Sequence, residues 1–234
     1  MEKDTMEKGD KKYNYYWHKV KVLLKRFWHF FWEEDTLLSW LLNIVVAFLL
    51  IKGVIYPGLG FILDTEYPVV AVISSSMEHN SNFDRWWSEK HSWYENYGIT
   101  KENFKNFYFK NGFNKGDIMV VYGRGTINIG DVVVFWGGKN RPIIHRVIRV
   151  YEEDGKIYYH TKGDNNIDSL QVYVNEFGTR VSKDSAGAVK IIDETKIGKE
   201  DIVGKAVFRI PYLGYIKIGF VRMLEMLHII KPTV

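Results

Sequence analysis

The chain has 234 residues, with 32 Lys and Arg against 28 Asp and Glu for a formal net charge of +4; 46% are hydrophobic and 16% aromatic, with 8 Trp and no Cys. This length suits one sizeable domain or a domain plus an appendage, and the basic residues form no dense run, which argues against a nucleic-acid partner. Without Cys, neither a disulfide nor a thiolate metal site can form.

Residues 1–36 mix both charges with Tyr15, Tyr16, Trp17, Phe27, Trp28, Phe30, Phe31 and Trp32. Such a segment suits a cytoplasmic helix lying on the inner membrane surface, its rings at headgroup level. The stretch that follows, Leu37 to Tyr56, carries a single charge, Lys52. At about 1.5 Å per residue it crosses a hydrocarbon core of roughly 30 Å, and Lys52 lies close enough to the far end to extend its ammonium to the interface. A cleaved signal peptide would start nearer the N-terminus and end in a small-residue site, so residues 37–56 are read as an uncleaved transmembrane anchor in preference to a buried core helix. Lys19, Lys21, Lys25 and Arg26 precede it, and after Lys52 the next Lys or Arg is Arg85. The positive-inside rule then places the N-terminus in the cytoplasm of a single-pass cell-membrane protein and the remainder outside.

Residues 57–214 read as an extracytoplasmic domain that is mainly β. A short strand is predicted over 69–73, running into the serines at 74–76, with Pro68 tolerated at its start. Residues 79–114 stand apart as an aromatic-rich insertion, read as a small cap folded around its own rings in preference to an interfacial or substrate-docking surface. From Ile118 on, the runs IMVVY, VVVFW, IIHRVIRVY, KIYYHT, AVKII and IVGKAVFRI alternate with turn signals, as in a β-sandwich or barrel, and exclude a doubly wound α/β sheet. Residues 215–234 place Ile216, Phe220, Met223, Leu227 and Ile230 at steps of four and three, which predicts an amphipathic C-terminal helix on the membrane or on the domain.

A serine hydroxyl is a weak nucleophile near neutral pH and needs a base beside it, itself held by a third group. Ser74, Ser75 and Ser76 sit at a predicted strand end, His145 interrupts an apolar strand, and Asp164 and Asp168 lie in the turn TKGDNNID. Taken alone, each reads more readily as a turn serine, a core histidine or an Asx turn. A metal site from His145, His160 and the two aspartates matches no compact ligand spacing, and no metal or other cofactor is expected.

Taken together and in order, these segments resemble the type I signal peptidases, in the branch of archaea and the endoplasmic reticulum. The resemblance rests on Tyr67 to Val70, the box Ser74-Ser75-Ser76-Met77-Glu78, and the Gly-Asp boxes beginning at Gly116 and Gly130. It continues with Ile144-His145-Arg146-Val147, where the bacterial branch has lysine, the box Thr161 to Asn166, and Phe208 to Tyr215. It implies a signal-peptidase-like β catalytic domain and a serine endopeptidase that cuts signal peptides from secretory preproteins by acyl-enzyme chemistry. Its partners would be those signal peptides, the lipid bilayer and the protein-export machinery.

By the same resemblance Ser76 is the nucleophile and His145 the base, while the backbone of Ser76 and the hydroxyl of Ser74 form the oxyanion hole. Asp168 is the orienting carboxylate and Asp164 a supporting one, with the two roles exchangeable because Asp168 follows Asp164 more closely than in relatives. Ser75 and His79 replace the usual Gly and Pro. Two rivals remain: a non-catalytic structural or substrate-holding subunit of an export complex, and a Ser-Lys protease of related fold using Lys162.

Overall fold

The structure, a computed structural model, describes residues 17–23, 25–26, 28–29, 36–137 and 142–226, with the backbone alone for 217, 218, 221, 224 and 225. The chain divides into two compact units, Met1–Gly58 and Leu59–Val234.

Helix α1 (Leu37–Leu63) is 27 residues long, and only 6% of its most apolar stretch is buried, which separates it from a core helix. Its N-terminus is capped by Thr36, whose side chain accepts from the Ser39 amide. The helix was expected to stop before Pro57, yet it continues to Leu63 through a π-helical segment at Ile51–Ile55. The physical reason is local. A helical proline clashes with the carbonyl four residues back, here that of Gly53, and a wider π turn relieves that crowding. Of the aromatic residues before α1, Trp17 and Trp28 are exposed; Tyr15, Tyr16, Phe27, Phe30, Phe31 and Trp32 lie outside the described residues.

The second unit is mainly β, as expected. Its seven-stranded antiparallel sheet has the order β1-β2-β10-β3-β4-β5-β9, and a three-stranded sheet has the order β7-β6-β8. The strands are β1 (Val69–Ala71), β2 (Ile118–Tyr122), β3 (Val132–Trp136), β4 (Pro142–Glu153), β5 (Lys156–Lys162), β6 (Gln171–Val174), β7 (Arg180–Val181), β8 (Val189–Asp193), β9 (Ile197–Gly198) and β10 (Ile202–Ile210). Every β-rich run singled out from Ile118 on contains a strand, while the strand predicted over 69–73 ends at Ala71. The short β6, β7 and β9 carry no run long enough to announce them.

Both Gly-Asp boxes build the same turn. In Asn114-Lys115-Gly116-Asp117 and in Asn128-Ile129-Gly130-Asp131 the aspartate carboxylate accepts the asparagine amide, at 2.8 and 2.9 Å. The intervening glycines have φ of +89° and +93°, a conformation that side chains with a Cβ rarely adopt. These turns start β2 and β3, so the boxes act on register rather than chemistry.

β4 is the strand around which the core is organised. Successive side chains on a strand face opposite sides. On one side Val133, Phe135, Val147, Tyr159 and Ile197 form a cluster. On the other, Ile148 packs beneath Trp86, Trp87, Tyr94, Ile99 and Phe104. These rings belong to α2 (Phe83–Glu95) and α3 (Lys101–Lys105), capped by Asn82 and Thr100. The aromatic-rich segment therefore buries its rings against the sheet, with neighbouring pairs each contributing about 0.5–1.5 kcal/mol beyond their buried area. Helix α4 (Gly214–Met226) closes the described chain and leaves Ile216, Phe220 and Met223 of its predicted apolar stripe exposed; Leu227 and Ile230 lie outside the described residues.

Candidate active site

Ser76 follows β1 by way of a bend in which the Glu78 amide donates to Ser75 O at 3.1 Å. Two contacts with the loop after β5 fix that bend: the Asn165 amide donates to Ser76 O at 2.8 Å, and Asn165 Nδ2 donates to Ser75 O at 3.2 Å. Met77, fully buried, anchors it from below. Ser76 stays half-exposed, and its Oγ lies 2.9 Å from His145 Nε2 and 3.1 Å from Ser74 Oγ. The structure thus brings Ser74, Ser76 and His145 together.

His145 sits on β4 opposite Val133 and is 4% exposed. Gly163 closes the site from the β5 end. A Cβ there would stand 2.8 Å from His145 Nε2 and 2.9 Å from Ser76 O, so only glycine allows the loop to approach this closely.

Neither Asp164 nor Asp168 hydrogen-bonds His145. Asp164 Oδ1 accepts from Tyr94 Oη at 3.0 Å and Arg146 Nε at 2.9 Å, while Oδ2 accepts from Arg146 Nη2 at 2.7 Å and engages His79 Nε2 at 3.0 Å. A carboxylate offers about four acceptor positions, and all are taken. Asp168 Oδ1 accepts from Trp93 Nε1 at 3.1 Å and from the Ser169 amide at 2.7 Å. The reason lies in the strand's alternation: Asp164 serves Arg146, the neighbour of His145, whose side chain points to the opposite face of β4.

Arg146 is fully buried, and each of its five donors has an acceptor. Nε and one Nη2 hydrogen meet Asp164; the other Nη2 hydrogen goes to Phe109 O at 2.9 Å, and Nη1 donates to Tyr108 O at 2.8 Å and Gly130 O at 2.9 Å. Its guanidinium lies over the Phe104 ring at 4.7 Å. Burial alone would raise the pKa of Asp164, but the Arg146 charge and the hydrogen bonds from His79 and Arg146 outweigh it and hold the carboxyl well below the usual range. His79 stacks on Trp86 at 3.7 Å and so ties the Ser76 loop to the aromatic helices.

Lys162 is also buried. Nζ donates to Gly163 O at 3.0 Å and lies 4.9 and 5.1 Å from the Trp93 and Tyr94 rings. Burial, only partly countered by Asp164, pushes its pKa down to about 8. Among the described residues no cluster of His, Asp and Glu is arranged to hold a metal ion.

The carboxylate that does touch His145 is Glu194, which follows β8 and is fully buried. Oε1 meets His145 Nδ1 and accepts from Thr161 Oγ1 at 2.9 Å, and Oε2 accepts from the Leu170 amide. Nothing in the order of boxes along the chain pointed to Glu194, 30 residues beyond Asp164 in a segment read only as a strand and turn.

No protein-family model matches the chain. It is 30% identical over 189 residues to the signal peptidase complex catalytic subunit SEC11 of Leptosphaeria maculans, covering 78% of this chain and 77% of that protein. It is 28% identical over 183 residues to the protein of that name from Pyricularia oryzae, with coverages of 78% and 77%. It is 29% identical over 169 residues to the human signal peptidase complex catalytic subunit SEC11C, covering 70% of this chain. The chain spans 62% of the length of the human and other mammalian relatives it matches.

Proposed function

Because the chain belongs to the family of signal peptidase complex catalytic subunits named SEC11, we propose that it is a membrane-anchored serine endopeptidase that removes signal peptides from exported preproteins. The observation that carries the reading is the 2.9 Å contact between Ser76 Oγ and His145 Nε2, with the Ser74 hydroxyl 3.1 Å from Ser76 Oγ. Serine attack requires such a base within hydrogen-bond reach.

In this mechanism Ser76 Oγ attacks the scissile carbonyl as its proton passes to His145 Nε2. The tetrahedral intermediate collapses, the C–N bond breaks, and the proton moves from His145 to the leaving amine. Water then attacks the Ser76 ester with His145 again as base, which releases the signal peptide's new carboxylate and restores the hydroxyl. The Ser74 hydroxyl and the Ser76 amide donate to the developing oxyanion. Asp164 supports the site indirectly, since it holds Arg146 and His79 and, through its own loop, Asn165 against Ser76.

The substrate is an extended segment laid along β1, an edge strand of the seven-stranded sheet that leads directly to Ser76. Helix α1 anchors the enzyme, and Lys19, Lys21, Lys25 and Arg26 before it keep the N-terminus cytoplasmic, so the site faces the extracytoplasmic side. The exposed stripe of α4 rests on the bilayer, and other subunits of an export complex are partners.

The test is incubation of the full-length chain in membranes with a preprotein, followed by sequencing of the product's N-terminus. Cleavage at the end of the signal peptide, lost in His145→Ala, supports the proposal. A wild-type chain that binds preprotein and leaves it intact would instead favour a non-catalytic subunit.

A further inference from the structure

We propose that Glu194 is the positioning carboxylate of the catalytic base. The inference rests on the reading of Ser76 and His145 as nucleophile and base, and it assigns the third member of the site to a residue outside the box from which it was expected.

Three observations converge. Glu194 is the carboxylate in contact with His145 Nδ1, on the ring edge opposite Ser76. Its own orientation is fixed by two further donors, Thr161 Oγ1 and the Leu170 amide. Its backbone is pinned at both ends as well, since Thr161 N donates to Glu194 O at 2.8 Å and Glu194 N donates to Leu170 O at 3.0 Å. A fully buried carboxylate held in this way has no role in solvation, and buried charge is retained only where it is paired.

The two aspartates are otherwise engaged. Asp164 has four donors and Asp168 is turned to Trp93 and its own loop. Strand alternation explains the division of labour: Thr161 on β5 lies across from Val147 on β4, on the face that His145 shares, while Lys162 lies across from Arg146 on the other. A carboxylate reaching His145 Nδ1 must come from the Thr161 face, and the end of β8 supplies it.

The chemical consequence is a fixed tautomer. An ionised Glu194 only accepts hydrogen bonds, so Nδ1 carries the proton and Nε2 presents its lone pair to Ser76 Oγ. Glu194 does not take the proton itself; it stabilises the imidazolium formed when Ser76 attacks.

The test uses the full-length chain in membranes. For Glu194→Gln, which keeps the side-chain shape but can donate to Nδ1 and so favours the wrong tautomer, kcat for preprotein cleavage is expected to fall about 10³- to 10⁴-fold with KM within about threefold. The wild-type protein carries an independent test that needs no variant to fold: the ¹⁵N shifts of His145 in detergent should report Nδ1–H with an unprotonated Nε2. A wild-type Nε2–H tautomer, or Glu194→Gln activity within tenfold of wild type while His145→Ala is inactive, overturns the assignment and leaves Ser76 and His145 standing. An active His145→Ala would instead remove the reading on which it rests.

Discussion

His145 and Arg146, consecutive on β4, turn to opposite faces of the sheet, and each meets a buried carboxylate of its own. His145 Nδ1 meets Glu194, and Arg146 binds Asp164 through Nε and Nη2 at 2.9 and 2.7 Å. One strand thereby carries the Ser76–His145–Glu194 contacts on one face and the Arg146–Asp164 ion pair on the other.

The ion pair is expected to act on stability. Asp164→Asn leaves the Arg146 guanidinium buried without its countercharge, and breaking a buried pair from one side costs about 3–5 kcal/mol. Replacing both partners, as in Arg146→Met with Asp164→Leu, should recover part of that loss, because no unpaired charge remains. Denaturation in detergent of the wild type, Asp164→Leu, Arg146→Met and the double variant measures the coupling. A double variant as unstable as the sum of the singles would contradict it.

Lys162 gives the site a pH signature in stability. Its pKa is about 8 in the folded chain and about 10.4 in an unfolded one. Between those values the unfolded chain binds more protons, so stability from this group rises with pH across the window, and below it the folded state carries the full burden of the buried charge. The gain is of the order of 3 kcal/mol over the whole window. Relative to Lys162→Met, the wild type should gain stability between about pH 8 and pH 10; parallel curves would show that Lys162 does not titrate there.

Gly163 governs the approach of the Ser76 loop to His145. Gly163→Ala places a methyl group 2.8 Å from His145 Nε2 and 2.9 Å from Ser76 O, so the loop or the imidazole must move. A displacement of about 1 Å costs on the order of 10² in rate, and the loss should fall on kcat, with denaturation of the fold little changed. Wild-type kcat in this variant would mean that the loop yields without disturbing His145.

Ser74→Ala removes a hydroxyl 3.1 Å from Ser76 Oγ and should lower kcat by about ten- to a thousandfold, with KM little altered, if it donates to the oxyanion. An unchanged kcat would remove it from that role.

The sequence displayed the scaffold more clearly than the site's full electrostatics. Runs such as VVVFW and IIHRVIRVY carry their β pattern in plain view, and Ser76 and His145 stand in boxes whose order along the chain is legible. Glu194 is not, because its meeting with His145 depends on the pairing of β4 with β5 and on the packing of a turn from another sheet, neither of which leaves a local signal. The continuation of α1 past Pro57 was hidden for a related reason: the π segment that accommodates the proline is a response of the helix, with no residue pattern of its own. The rings at 83–109 were visible as a group, but their attachment to Asp164 through Tyr94 and His79 appears only once the strands are assembled.

The central claim is that Ser76 performs the cleavage. Its most direct test is the turnover of a preprotein by Ser76→Ala and wild-type chains at equal abundance in membranes. Loss of turnover by at least about 10⁴-fold is expected for the variant, since removing the nucleophile leaves only binding and oxyanion stabilisation. Cleavage within tenfold of the wild type at the same bond would contradict it.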